Sequence, residues 1–423
     1  MPKSEAKKPS QRSSAKRSED IRKVTLENGL TVLLLQDGRV PFVQTTGVFR
    51  GGLLAETEVN SGATRLMSRL LTKDTLKRSA EDLAVAIESV GGSIGGNVGN
   101  NSFGVSVSAM RPDLELVVDL LGETLLESAF LDEVVAREKQ YQLTQIKAEA
   151  DRPFSVAMKA LRRRLYGAHP YGLESSGTPD SIHSLMRGDI TSLHARLVCG
   201  GNGVVGVFGD LDLDRAEDLI RARFSGSLRA GAREFTSPSK VILPSDFAGL
   251  TDLTHEKEQA VLLIGYRTVD LTHPDNPALE MIDEACSDMA SRLFIRIREE
   301  LGLAYSVGAT RLTGLEPGFI VFYASTSPEK LNLVHEEMLS EIDLMVREGL
   351  AEEEFTRAKA SWLGREAIQL QGAKELASTA TVDELVGLGW DSYRKTPDIV
   401  RALTREQVRE AAALIAEFSR GED

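Results

Sequence analysis

The chain has 423 residues, 42% hydrophobic and 27% charged, an ordinary globular balance that excludes a fibrous or low-complexity polymer and allows two or three domains, each with its own core. No apolar run approaches the roughly 18 residues of a membrane span, and two cysteines, Cys199 and Cys286, exclude a disulfide framework. The formal charge of −13 is uneven: the first 23 residues hold eight Lys and Arg against three acids, a net of +5, which leaves −18 on the rest, so nucleic acid is excluded as a main partner and basic peptides are attracted at long range.

Residues 1–23 are rich in Ser and basic side chains and lack an apolar h-region, so they read as a disordered leader and not as a secretory signal; the compartment expected is the cytoplasm, with the periplasm as the alternative. From Val24 a hairpin is predicted, because Asn28-Gly29 separates two apolar runs ending at Leu35. Helical spacing follows over 60–73 (Ala63, Leu66, Met67, Leu70, Leu71) and again over 79–90, where Gly91-Gly92 stops it. A strand is expected where Phe103, Val105 and Val107 alternate with small residues. Three helices then span about 112–127, 131–149 and 153–166, and a loop carries His169-Pro170-Tyr171-Gly172. A strand over Gly203–Phe208 and a helix over Asp214–Phe224 close the first half.

Residues 226–250, rich in Ser, Gly, Pro and Ala without a period, read as a linker. The second half starts with a strand over Ala260–Tyr266, a Pro loop and a helix from about Ala278. A further helix carries Leu293, Ile297 and Leu301, a strand pair lies within 304–325, and several helices run to the end. The repeated plan implies duplication. The fold class expected is α+β: two homologous domains, 24–225 and 251–423, each a mainly antiparallel sheet covered by helices.

Most short motifs fail on context. Gly91-Gly92-Ser93-Ile94-Gly95 fits the nucleophile-elbow pattern, but a helix precedes and a strand follows, the reverse of what a catalytic Ser93 needs. Gly201 to Gly206 fits a dinucleotide fingerprint but enters a strand instead of leaving one. Asp210, Asp212 and Asp214 lack the glycine and the closing Glu of a calcium loop, so a strand end and a helix cap are expected. Arg162, Arg163 and Arg164 point around a helix and cannot share a ligand. No two of the six histidines lie closer than eleven positions, so none forms the i, i+4 pair of a zinc helix, and His169 and His273 are expected to have structural or surface roles.

Three segments, spread over about residues 24–420, together resemble the insulinase/pitrilysin family of inverted zinc peptidases, in its half-length, mitochondrial-processing-peptidase-like form. They are Val24–Leu35 with Gly51-Gly52 and Ser61–Leu71; Ala168–Gly172 through Gly177 and Ile182 to Val205–Asp210; and Ser291–Phe294, Ile297–Glu299 and Gly302–Ser306. The resemblance implies H-x-x-E-H on the helix beginning at Gly62, two histidines binding zinc and a glutamate activating water. Here those positions are Thr64, Ser68 and, for the glutamate, Met67, and the third ligand position falls at Gln145. Hydroxyls and a carboxamide are poor zinc ligands and a thioether takes no proton, so no metal is expected in this chain. Glu138 is a carboxylate the family often keeps nearby; read from the residues alone it is a solvated helix Glu.

The second half keeps what the resemblance implies there: Arg298 and Tyr305 match a pair that the family points across a chamber at a zinc site, to anchor peptide and stabilise the oxyanion. Read from the residues alone they are an Arg paired with Glu299 or Glu300 and a Tyr in a sheet. The Gly91–Ala109 segment corresponds to the family's peptide-pairing edge strand, here facing no metal. The function implied is a non-catalytic subunit acting on peptides with a homologous, zinc-holding H-x-x-E-H partner. A structural scaffold like respiratory-complex core proteins is the alternative, followed by an enzyme using other residues.

Overall fold

The structure, a computed structural model, describes residues 20–232, 249–254 and 259–418. Most of the expected leader and the centre of the expected linker therefore lie outside the described residues. The first half holds strands β1 (Arg22–Thr25), β2 (Thr31–Gln36), β3 (Phe42–Arg50), β4 (Ser93–Val98), β5 (Ser102–Met110) and β6 (Gly203–Gly209). Its helices are α1 (Ala63–Leu71), α2 (Ala80–Glu88), α3 (Leu114–Leu126), α4 (Asp132–Ala150), α5 (Pro153–Tyr166), α6 (Pro179–Ser184), α7 (Arg187–Leu197) and α8 (Leu213–Phe224). The second half holds β7 (Ala260–Arg267), β8 (Ser306–Leu312) and β9 (Phe319–Thr326), with α9 (Asn276–Ser287), α10 (Leu331–Glu348), α11 (Glu352–Gln369), α12 (Ala373–Val386), α13 (Ser392–Ala402) and α14 (Arg405–Phe418).

The six strands of the first half form one sheet in the order β1-β2-β6-β3-β5-β4, in which only β2 and β6 run parallel. The described strands of the second half form an antiparallel sheet in the order β7-β9-β8. The fold class is thus the expected α+β. Two boundaries move. Arg22 and Lys23, expected in the leader, open β1, because Arg22 pairs across to Leu34 and salt-bridges Asp214. The expected α-helix through Leu293 to Leu301 is a π-helix over Phe294–Glu300.

Central strand β3 has no counterpart among the strands expected from the sequence, for a physical reason: a strand covered on both faces shows no alternation. Helix α3 lies on one face of β3 and β5, and α12, from the far end of the chain, lies on the other face over β3 and β6. Leu376, Ala377 and Ala380 pack there with Leu33, Leu35, Val48 and Phe208. Reciprocally, α5 of the first half packs on β7 of the second. The halves exchange covering helices, an arrangement that a boundary at 226–250 does not convey.

The loop His169–Gly172 latches the halves together. The Tyr171 hydroxyl oxygen accepts from Asn101 Nδ2 and from the Glu316 N–H at 3.3 Å, and Tyr166 donates to the Pro317 carbonyl at 2.8 Å. His169 and Glu316 are buried together, 3.5 Å apart, so His169 has the expected structural role. Arg162 donates both Nε and a terminal nitrogen to the Tyr171 carbonyl while Arg163 pairs with Glu58 and Arg164 with Thr251, three directions for three neighbours.

Candidate functional site

Helix α1 begins at Gly62, whose φ of 86° is left-handed and whose missing side chain lets Gly177 approach; a Cβ there would lie 2.8 Å from Gly177 backbone atoms. The helix is capped by a buried acid. The Glu56 carboxylate accepts from the N–H groups of Gly62 at 2.8 Å and Thr64 at 2.7 Å, and burial pushes its carboxyl up to about 7 despite those bonds.

The four positions that the resemblance assigns to zinc chemistry are placed as follows. Thr64 is buried and its hydroxyl donates to the Gly52 carbonyl at 3.3 Å. Ser68 is buried too, donating to the Asn97 carbonyl of β4 at 2.8 Å. Met67 is fully buried in the main core of the first half. Gln145 is exposed on α4 and lines, with Ser68, a cavity of about 350 Å³ between α1, α4 and β4. The structure therefore brings Ser68 and Gln145 to one space, puts Thr64 on an adjoining one, and turns Met67 away. Two hydroxyls already bound to carbonyls, a thioether in the core and a carboxamide do not fit zinc. Among the described residues no group of three or more His, Cys, Asp or Glu side chains is placed to hold a metal.

Glu138 is not the solvated residue that its sequence alone suggests. It is buried and held by Arg69, whose Nε donates to it at 3.1 Å, with Lys73 at 3.6 Å and Arg137 at 3.8 Å. Arg69 also stacks its guanidinium 4.0 Å from the Tyr141 ring centroid. Arg65 and Arg69 stand one turn apart on α1 and Lys73 lies two residues past its end, and all three line the cavity; the four-residue spacing was readable in the sequence, and their role as lining residues was not recognised from it.

In the second half, Arg298 and Tyr305 stand apart from this cavity, at the π-helix and just before edge strand β8. π-Helical turns concentrate at functional sites. Glu300 and Glu337 are taken by Arg296, at 3.1 and 3.0 Å, and Arg298 lies over the Phe294 ring at 4.8 Å. Among the described residues the Arg298 side chain makes no hydrogen bond or ion pair, nor does the Tyr305 hydroxyl, and Tyr305 is 61% exposed. Among the described residues the ion pair of Arg298 with Glu299 or Glu300 is not found, while Tyr305 adjoins the sheet, its N–H donating to the Ser325 carbonyl of β9 at 2.8 Å.

Other motifs behave as expected. Ser93 lies within β4 and hydrogen-bonds Ser108 at 2.8 Å, the Gly201 loop enters β6, and Asp212 caps α8 by accepting from the Arg215 N–H at 2.8 Å. β4 is the edge of the six-stranded sheet, paired with β5 alone among the described residues.

Known proteins share this arrangement. A family model described as insulinase, peptidase family M16, matches residues 31–178, and one described as the peptidase M16 inactive domain matches 184–361. An uncharacterized zinc protease of Mycobacterium leprae is 28% identical over 95% of this chain and 89% of its own length, and one of Streptomyces coelicolor is 27% identical over 91% and 87%. The fold is shared with a protease from Helicobacter pylori (TM-score 0.86, 17% identity, 95% of this chain and 97% of the other). It is shared also with a peptidase M16 inactive domain from Pseudomonas fluorescens (0.84, 21%, 94% and 95%) and a chain of complex III2 from Candida albicans (0.77, 17%, 93% and 92%). With both family models spanning most of the sequence in chain order, this protein belongs to the insulinase family, peptidase family M16.

Proposed function

We propose that this chain is the non-catalytic subunit of a two-chain zinc peptidase. Residues 24–225 and 251–423 form its two domains, and a homologous chain with H-x-x-E-H supplies the zinc site. The observation that carries the reading is the contrast between the halves: Thr64 and Ser68 are internally satisfied, whereas Arg298 and Tyr305 are exposed and their side-chain donors have no partner among the described residues. A guanidinium and a phenol held on a π-helix and a strand entrance can donate to a peptide carbonyl, and more strongly as its oxygen gains charge. Peptides and short unfolded segments are the substrates, since two such chains closing on each other exclude folded proteins. The cytoplasm is the compartment, in keeping with two buried, unpaired cysteines.

The test mixes this chain with a homologous H-x-x-E-H chain from the same genome. Peptide cleavage is expected in the mixture, absent from this chain alone, and abolished by a chelator. A complex that forms without cleaving any peptide supports the scaffold reading instead, and stoichiometric zinc with peptidase activity in this chain alone overturns both.

A further inference from the structure

The cavity between α1, α4 and β4 has an unusual charge for so acidic a molecule. Arg65, Arg69 and Lys73 line it, and Glu149 is the lining carboxylate. Glu149 is already committed, accepting from Ser176 at 2.8 Å and pairing with Lys159 at 3.3 Å. Buried Glu138 neutralises Arg69. Among the described residues Arg65 donates only to the neutral carbonyl and hydroxyl of Ser175, at 3.2 and 3.3 Å, and the Glu56 carboxylate that feels its charge is turned into the N-terminus of α1. Lys73 reaches Glu138 at only 3.6 Å. Among the described residues Arg65 therefore has no carboxylate partner and Lys73 only a share of Glu138, so these two partly exposed cations leave positive charge facing the space.

We infer that this cavity binds a peptide carboxylate, held by Arg65 and Lys73. Forked guanidinium donors and a nearby ammonium suit an anion. One further feature favours a peptide over a bare inorganic anion. Gln142, 2% exposed, lines the cavity and spends its amide hydrogens on the carbonyls of Gly62 and Ser176, at 3.0 and 2.9 Å, which leaves its Oε1 without a hydrogen-bond partner among the described residues. A buried unpaired acceptor beside cations suits an N–H next to a carboxylate. The inference concerns this chain alone and does not rest on the two-chain reading.

The test is fluorescence anisotropy with three N-terminally labelled short peptides. One has a free C-terminal carboxylate and no acidic side chain, one is amide-capped with a single Glu, and one is amide-capped with Gln in its place. Binding of either or both carboxylate peptides, weakened by added salt and at least about tenfold tighter than the Gln peptide, is expected. Which of the two binds tells a C-terminus from an acidic side chain. Arg65→Gln and Lys73→Gln should each weaken that binding by roughly tenfold, while Arg65→Lys restores part of it. Arg69 is left intact because its removal would strand buried Glu138. Lys73→Gln carries the decision if Arg65→Gln fails to melt cooperatively. Equal binding of the Gln peptide, no binding of any peptide, or unaltered affinity in a folded Lys73→Gln variant overturns the inference.

Discussion

Glu56 illustrates how one residue links stability to the site. Its carboxyl holds a proton more tightly in the folded chain than in the unfolded one, pushed up to about 7 from 4.5 by burial. Its contribution is therefore fully present below about pH 4.5 and is lost as the pH rises through about 7, with a magnitude on the order of 3 kcal/mol. Urea unfolding of the protein and of Glu56→Gln across this range should show the wild type losing stability relative to the variant as the pH rises. A constant difference would mean that Glu56 does not titrate there. At this scale, what the sequence revealed were identities. That Thr64, Met67 and Ser68 cannot serve zinc follows from their side chains wherever they lie. That Glu138 is neutralised by Arg69 could not be read, because the pair is separated by 69 positions and depends on how α1 and α4 pack.

Among elements, α1 matters most, since its start is fixed by Gly62 and its exposed stripe lines the cavity. Gly62→Ala forces a Cβ into Gly177 at a left-handed φ and should cost about 1–3 kcal/mol, read as a lowered urea midpoint at unchanged slope. Helix α12 covers the far face of the first sheet; truncating its fully buried Leu376 to Ala should cost about 2–5 kcal/mol. Amphipathic helices and alternating strands were legible from their periods, as α3, α5 and β5 show. β3 was not, because cover on both faces removes its alternation and Gln44, Thr45 and Thr46 break its apolar run. The π-helix at Phe294–Glu300 was read as α-helix since its buried Ile297 fits either period.

For the whole molecule, the exchange of α5 and α12 and the Tyr171 latch join two sheets into one unit. Removing the Tyr171 hydroxyl, as in Tyr171→Phe, takes the acceptor from the Glu316 N–H and from Asn101 Nδ2 and should cost about 1–3 kcal/mol by urea unfolding. A fragment of residues 20–232 lacks α12, uncovers Leu33, Leu35, Val48 and Phe208, and should fail to melt cooperatively by circular dichroism. An independently folded, monomeric fragment would mean that the helix exchange is dispensable. The central claim, that this chain gives Arg298 and Tyr305 to a site it does not contain, is tested most directly by one measurement: kcat/KM for peptide cleavage by the reconstituted pair with Arg298→Ala in this chain. The account predicts a fall of roughly 100-fold or more with the complex still assembled. An unchanged kcat/KM would contradict it.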